Sequence, residues 1–548
     1  MSEHETPMTL GVVMIVKNEE KNLGGILSDV RDVMDEICIV DTGSSDGTVA
    51  LAESFGAKIE HLPWRNDFSA ARNHSLACAS SDYLLWLDAD DRIDKGGVEA
   101  LLKLKARLRP EKDRAYTLRI LGRSKDMPDT LSRQTRIIPN RKGVRFEGMV
   151  HEQILPSLQR TGVAIEPVDI TIMHTGYHDP DTRAAKARRN LEILTDELRE
   201  GKDTASQHFF MAMACIGLED YGQCLEHLYK ARQKRTDEDW HHFSYTISTD
   251  CLLRLGRAED ACQEIEVGTK LYPDSPLLHY YLGVACMKAG RDAQAAAALK
   301  KAASLPLKVD SYPSPPDLDA AILLQYGKAL EKTGQTDEAI KAYARALKSG
   351  ARRKDLHQAL GMAYLQSGRI TEALSHLETA RELSASVDPV TWLSLARLCY
   401  LRKDPGQAQR LYLEILREIP EHLQALVGIL DTSIDLDDTE SFFNALEQIL
   451  IVLDVPIPEA SIDSLAQCAE LCMRAADRIK AAEPDMARRL AQTALRLDAS
   501  NAGAHLLLAD LFARQGDLRQ MLASLESALQ HGADHEEVRR RIDSAPVT

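Results

Sequence analysis

No apolar stretch near the start of this chain is long enough to cross a bilayer. Leu10 to Val16 is apolar but far short of the roughly 20 residues a spanning helix needs. Positive charge is scarce as well. Against 83 acidic residues stand 67 basic ones, a net of −16, which argues against nucleic acid or an anionic membrane surface as a partner. The opening Met1-Ser2-Glu3-His4-Glu5 is acidic with no apolar segment in it, so no signal peptide is expected, and the expected compartment is the cytoplasm. Among the ten cysteines there is no Cys-x-x-Cys pair, which leaves reduced thiols and implies neither a zinc site nor a disulfide framework. Cys468 and Cys472 lie four apart, the spacing of small core residues stacked on one helix face.

What the chain does contain is two regions of different pattern, and 548 residues are too many for one ordinary core. Up to about residue 180, short apolar runs alternate with helical stretches. Leu10–Val16, Glu36–Val40, Lys58–His61, Tyr83–Leu87 and Tyr116–Ile120 read as strands; Leu23–Val33, Thr48–Phe55, Ala70–Ala77 and Gly97–Leu108 read as helices between them. That alternation predicts a doubly wound α/β sheet binding its ligand at the strand carboxyl ends. Arg133–Pro139, Arg145–Met149 and Val168–Met173 are expected as a second group of strands carrying the acceptor side.

Beyond residue 180 strand signals stop. Asp181 is the expected N-cap of a helix over Thr182–Arg199, ended by Gly201. A repeat then begins near His208. Gly327, Ala339, Tyr343 and Ala346 recur thirty-four residues later as Gly361, Ala373, Leu377 and Ala380. Ala475, Ala487, Ala491 and Ala494 recur at the same interval as Ala509, Met521, Leu525 and Ala528. Small residues at that period, where paired helices approach closely, are the signature of tetratricopeptide repeats. The expected boundaries are 8–180 for the α/β domain, 181–204 for a connecting helix and 205–540 for the all-α solenoid. Asp310 to Pro316 lengthens one repeat, and the register breaks between about Glu421 and Ser464; both read as loops.

The most informative stretch is Leu84-Leu85-Trp86-Leu87-Asp88-Ala89-Asp90-Asp91, an apolar strand ending in three carboxylates. Hard oxygen ligands at a strand's carboxyl end suit Mg²⁺ or Mn²⁺ carrying a phosphate ester. Upstream, Met14 to Glu20 and Ile37 to Thr48 are each a strand breaking into a polar turn. This order resembles the amino-terminal half of family-2 glycosyltransferases, inverting enzymes of the GT-A fold that use nucleotide sugars. The resemblance covers about a third of the chain and implies a GT-A (Rossmann-like) nucleotide-sugar domain. It makes Asp90 the metal ligand and Asp88 a ribose or second metal contact. Asp41, at a strand end, is expected at the nucleobase, and Asn18 and Glu19 at the base and ribose. Ser45 to Thr48 has the chemistry of a turn and helix cap.

Trp64 to Asn73 is similar to the segment by which members of that family reach the donor, where an Arg-Asn pair opens a helix. Arg72 would either pair with phosphate or hold Asp88 and Asp90 in place. A third block, Arg145 to Glu152 followed by Ile172 to Tyr177, looks like the Gly-x-Val-His-Glu and His-x-Gly-Tyr pattern of bacterial family-2 enzymes. Inversion requires one base to take the acceptor proton. Glu152, at the start of an expected helix, is the first candidate, Glu147 the second and Asp91 the third; an exposed helix-capping role for Asp91 is the alternative. His174 is a candidate metal ligand beside Asp88 and Asp90. Val16, Asn73, His151 and Tyr177 complete the implied donor-binding set.

Joined to repeats, such a domain is similar to bacterial peptide S- or O-glycosyltransferases of the sublancin-transferase type. That similarity implies a protein or peptide acceptor held partly by the repeats, and a UDP-sugar as the first donor to test. Two other readings stay open: a lipopolysaccharide or exopolysaccharide transferase whose repeats make a homodimer, and a non-catalytic scaffold. The intact Asp41, Asp88, Asp90, Arg72 and Glu152 argue against the scaffold.

Overall fold

The structure is a computed structural model, and it describes residues 7–123, 129–150, 152–175, 180–234, 240–307, 314–349, 353–457 and 464–545. The chain divides after Gln335 into two compact units.

The first unit opens with an eight-stranded sheet in the order β3-β2-β1-β4-β7-β6-β8-β5. Its strands are β1 (Leu10–Val16), β2 (Glu36–Asp41), β3 (Lys58–His61), β4 (Tyr83–Trp86), β5 (Asp91–Arg92), β6 (Arg114–Gly122), β7 (Thr130–Pro139) and β8 (Ala164–His174). The helices are α1 (Leu23–Val30), α2 (Thr48–Ser54), α3 (Phe68–Cys78), α4 (Lys95–Lys105), α5 (Leu155–Arg160) and α6 (Pro180–Arg199). β1 pairs in parallel with both β2 and β4, so the chain reverses its winding there and opens a crevice at the carboxyl ends of these strands.

β1 is apolar throughout because both of its faces are buried. Val12 and Met14 enter a core with Ile26 and Leu27 of α1 and Leu101 and Leu104 of α4. Val13 points the other way, to Leu84, Ile138, Phe146 and Leu158. Local caps start the helices that frame the crevice: Asp67 accepts from the Ala70 amide at 2.9 Å to open α3, and Asp94 accepts from Gly97 at 2.7 Å to open α4.

Some expectations need correcting. Arg145–Met149 is not a strand; only Glu147 bridges Gln153, and Gly148 at φ 98° turns the chain out of any ladder. α5 begins at Leu155, beyond Glu152. α6 begins at Pro180, so Asp181 lies inside the helix instead of capping it, since proline's fixed φ suits a first turn. Of the Asp310–Pro316 insertion, residues 310–313 lie outside the described residues. Ser314 exchanges two backbone hydrogen bonds, of 2.7 and 3.0 Å, with Leu131 of β7, so this insertion is tied to the sheet.

After α6 the first unit continues as paired helices from Ala205–Gly217 to Leu318–Lys332, and the second unit is helical from Thr336–Lys348 to His535–Asp543. The repeated small positions sit where helices touch. A Cβ on Gly283 would fall 2.3 Å from Leu299, and one on Gly361 2.6 Å from Leu377. The expected break between Glu421 and Ser464 is instead a helix pair, Leu423–Asp435 and Thr439–Val452. There Gly428 makes a close approach to the preceding helix instead of the following one, with the Tyr412 ring 2.4–2.6 Å from where its Cβ would lie. An aromatic ring has little freedom to yield. With three ring atoms that close, the overpacking cost of Gly428→Ala should fall near the upper end of about 1–3 kcal/mol and exceed the roughly 1 kcal/mol regained in helix propensity, so the protein should be destabilised. A thermal melt showing no loss would refute this account of the close approach. No helix is long and apolar enough to cross a membrane among the described residues, and all ten cysteines are free thiols.

Candidate active site

Three strand ends bring the acidic motif and its partners together. β4 ends at Trp86 and runs straight into Asp88, whose amide donates to Asp91 Oδ2 at 2.9 Å. Asp91 begins β5 and lies opposite His174 at the end of β8. The His174 Nδ1 is 2.9 Å from Asp91 Oδ1 and 3.5 Å from Asp90 Oδ1. Asp88, Asp91 and His174 thus place one ligand atom each within 4.8 Å of one another.

Two guanidinium groups lie on this cluster. Arg72, one turn inside α3, donates from Nη2 to Asp88 Oδ1 at 2.8 Å and from Nε to Glu152. Arg136 of β7 reaches Asp88 and Asp91, both at 3.3 Å. The guanidinium carbons of Arg136 and Arg72 lie 3.7 and 4.4 Å from the centre of the Trp86 ring, so the indole supports both cations. Although burial alone would raise it, the Asp88 carboxyl is held well below the ordinary range by Arg72 and Arg136.

Asp90 is different. Burial raises its carboxyl, and repulsion from Asp88 and Asp91 adds to the rise against the opposing pull of His174 and Lys186. Glu19 is likewise raised by burial, with Asp90 and Asp88 contributing. The Lys186 ammonium, on α6, is 3.9 Å from Asp90 Oδ2.

The remaining candidates divide. Asp41, at the end of β2, is 4% exposed; burial would raise it, yet hydrogen bonds from Ser44 and Gly43 prevail and hold it low. Asn18 takes the left-handed conformation at φ 55°, which asparagine tolerates, and its Oδ1 accepts from the Ser45 amide at 2.8 Å. The Glu19 amide donates to Thr48 Oγ1 at 2.7 Å, so this turn ties the Ser44–Thr48 loop to β1. Val16 is buried, and its carbonyl accepts from Thr42. Asn73 faces away from the carboxylates, its amide making two hydrogen bonds, of 2.9 and 2.8 Å, to the backbone of Phe146. Glu147 stands apart from the cluster, paired with Arg160 and Arg145, and the Arg160 hydrogen bond leads in holding its carboxyl low. Asp91 is fully buried, so it is no exposed helix cap; Asp94 caps α4. His151 and Tyr177 lie outside the described residues.

The family model described as Glycosyl transferase family 2 matches residues 11–142, and a tetratricopeptide repeat model matches 250–314, 324–388, 358–423 and 472–534. The chain joins a family-2 glycosyltransferase domain to tetratricopeptide repeats. A TPR repeat-containing protein of Synechococcus elongatus is 39% identical over 150 residues, 27% of this chain and 36% of that one. The SPbeta prophage-derived glycosyltransferase SunS of Bacillus subtilis is 26% identical over 261 residues, 46% of this chain and 60% of that one. An uncharacterized glycosyltransferase of Rickettsia felis is 28% identical over 112 residues, 20% of this chain and 39% of its own. The chain thus spans between 36% and 60% of the length of these curated relatives.

Within the glycosyltransferase domain, sequence reasoning missed Arg136. Its strand face gave no clear signal: Arg136 shares that face with Ser132, Gln134 and Ile138, so an inward cation does not stand out from an apolar pattern. Lys186 gave none either, since nothing in the helix pattern shows where α6 lies against the sheet. The cluster fits a divalent metal ion by its chemistry: Asp88, Asp91 and His174 bring oxygen and imidazole donors within 4.8 Å of one another, while Asp90, the expected ligand, lies at the edge of that group, 3.5 Å from His174.

Proposed function

We propose that this protein transfers a sugar, with inversion, from a nucleotide-sugar donor to a side chain of a protein or peptide acceptor. The observation that carries the reading is the chain Asp88–Arg72–Glu152. One buried guanidinium holds the acidic motif and the leading base candidate on a single planar fork. Nucleobase and ribose lie against Asp41, Asn18 and Glu19 at the strand ends, the position expected of ligands in open α/β sheets. Bound Mg²⁺ or Mn²⁺, held by Asp88, Asp90 and His174, supplies charge to neutralise the departing diphosphate.

Glu152 takes the acceptor proton as the acceptor atom bonds the anomeric carbon; the bond from that carbon to the diphosphate breaks, and its electron pair leaves with the diphosphate. Glu152 suits this task better than Glu147, whose carboxyl two arginines keep weakly basic, and better than Asp91, which has no exposed surface. Asp91 instead orients His174 and the Asp88 backbone. The repeats support a polypeptide acceptor, because solenoids of this kind present long surfaces suited to extended chains.

The test is release of nucleotide from UDP-, GDP- and dTDP-sugars by the full-length protein, with Mn²⁺ and with EDTA, together with the intact mass of candidate peptide acceptors in the same tubes. Metal-dependent nucleotide release with a mass gain of one sugar is the expected result. Neither nucleotide release nor nucleotide binding with any donor would remove the reading.

A further inference from the structure

A diphosphate leaving the sugar gains negative charge, and the two guanidinium groups nearest the acidic motif are already taken up. Arg72 is divided between Asp88 and Glu152, and Arg136 between Asp88 and Asp91 beneath Trp86. The cations at the rim come from α6. Lys186 and Arg189 are three residues apart and share a face with Ile193, which is buried with Val150 and Met211, so this face is turned to the crevice wall. Lys186 approaches Asp90 to 3.9 Å. Arg189 lies 5.0 Å above the ring of Phe68, the first residue of α3 and one turn before Arg72. Its side chain is exposed and donates to Asn190 at 3.4 Å, and no carboxylate pairs with it among the described residues. An exposed cation held over an aromatic ring, with no carboxylate of its own among the described residues and one turn from a lysine on the acidic motif, is arranged for an anion that arrives from outside.

We propose that Lys186 and Arg189 form the wall that binds the diphosphate of the donor. The inference rests on the donor reading above and deepens it, assigning the connecting helix to the donor site. In terms of contact, the two side chains meet the phosphate oxygens while the nucleoside stays with Asp41 and the β1 turn.

The test titrates the full-length protein with UDP, UMP, GDP and GMP, calorimetrically, in Mn²⁺ and in EDTA. Lys186→Ala and Arg189→Ala should each weaken the preferred nucleoside diphosphate roughly 10-fold or more, the size expected for a lost charge-assisted contact, and weaken the monophosphate much less. Lys186→Arg should recover most of the affinity because the charge is kept. Lys186 is 40% exposed on its side chain, so melting temperature should hold and serves as the control for folding. Equal losses for diphosphate and monophosphate would overturn the assignment, as would unchanged affinity for both. If the unaltered protein binds none of the four nucleotides, the donor reading itself fails and this inference with it; if it binds them and the variants match it, only the wall is lost.

Discussion

Glu152→Gln should keep nucleotide-sugar binding and lose transfer by roughly 10²–10⁴-fold, the usual reach of general-base catalysis. The amide is nearly isosteric, and its carbonyl oxygen can still accept from Arg72 Nε, so the Arg72 contact to Asp88 has no reason to move. What the amide cannot do is accept a proton at neutral pH. Glu147→Gln in parallel removes a surface pair with Arg160 and Arg145 and should change transfer little. Initial rates of acceptor glycosylation, with nucleotide affinity measured on the same preparations, separate the two. If Glu147→Gln were the more damaging, the base would have to be reassigned to Glu147.

Asp90→Ala should lower donor turnover on the order of 100-fold or more, as for loss of a transition-state electrostatic contact. Folding should survive it. Among the described residues the side chain's ion pairs are long, 3.5 Å to His174 and 3.9 Å to Lys186, whereas the contacts that hold the local chain use the Asp90 carbonyl, which accepts from the Thr175 amide and hydroxyl. Alanine keeps that carbonyl. Asp91→Ala is the contrasting change: it would take from buried Arg136 one of its two carboxylates and from His174 the shorter of its two, and should lower the melting temperature. Turnover in EDTA equal to turnover in Mn²⁺, with Asp90→Ala as active as the unaltered protein, would mean that no metal acts here.

How far the site was legible from the sequence depends on the kind of contact. Asp88, Asp90 and His174 were readable because each ends an apolar strand, and a strand end in an open parallel sheet is where a ligand is met. Arg72 was readable only through the resemblance of Trp64 to Asn73 to the family's donor segment, since its own neighbours Asn73, His74 and Ser75 are polar. Asn73 looked like part of the same pair, yet one residue along a helix turns a side chain by about 100°, and it faces Phe146 instead of the carboxylate cluster. The Arg145–Met149 segment has a strand's composition, and a single left-handed glycine overrides that composition. The helix pair between Glu421 and Ser464 was read as a loop because the residues thirty-four beyond Ala396, Ala408 and Tyr412 are Leu430, Phe442 and Leu446, which break the pattern of small residues. Lys186 depends on the docking of one element against another, which no local pattern reports.

The two backbone hydrogen bonds between Leu131 and Ser314 bear on how this protein can be taken apart. Leu131 pairs with Leu121 of β6 on one side, and on the other it meets a residue 183 positions further on, from within the helical region. Splicing a foreign solenoid on after α6 would uncover that edge of β7 and leave a peptide group ready to join a strand from another molecule. Exchange of the repeats is therefore a cut through a ladder, and a chimera that keeps the native chain through Gln335 avoids it.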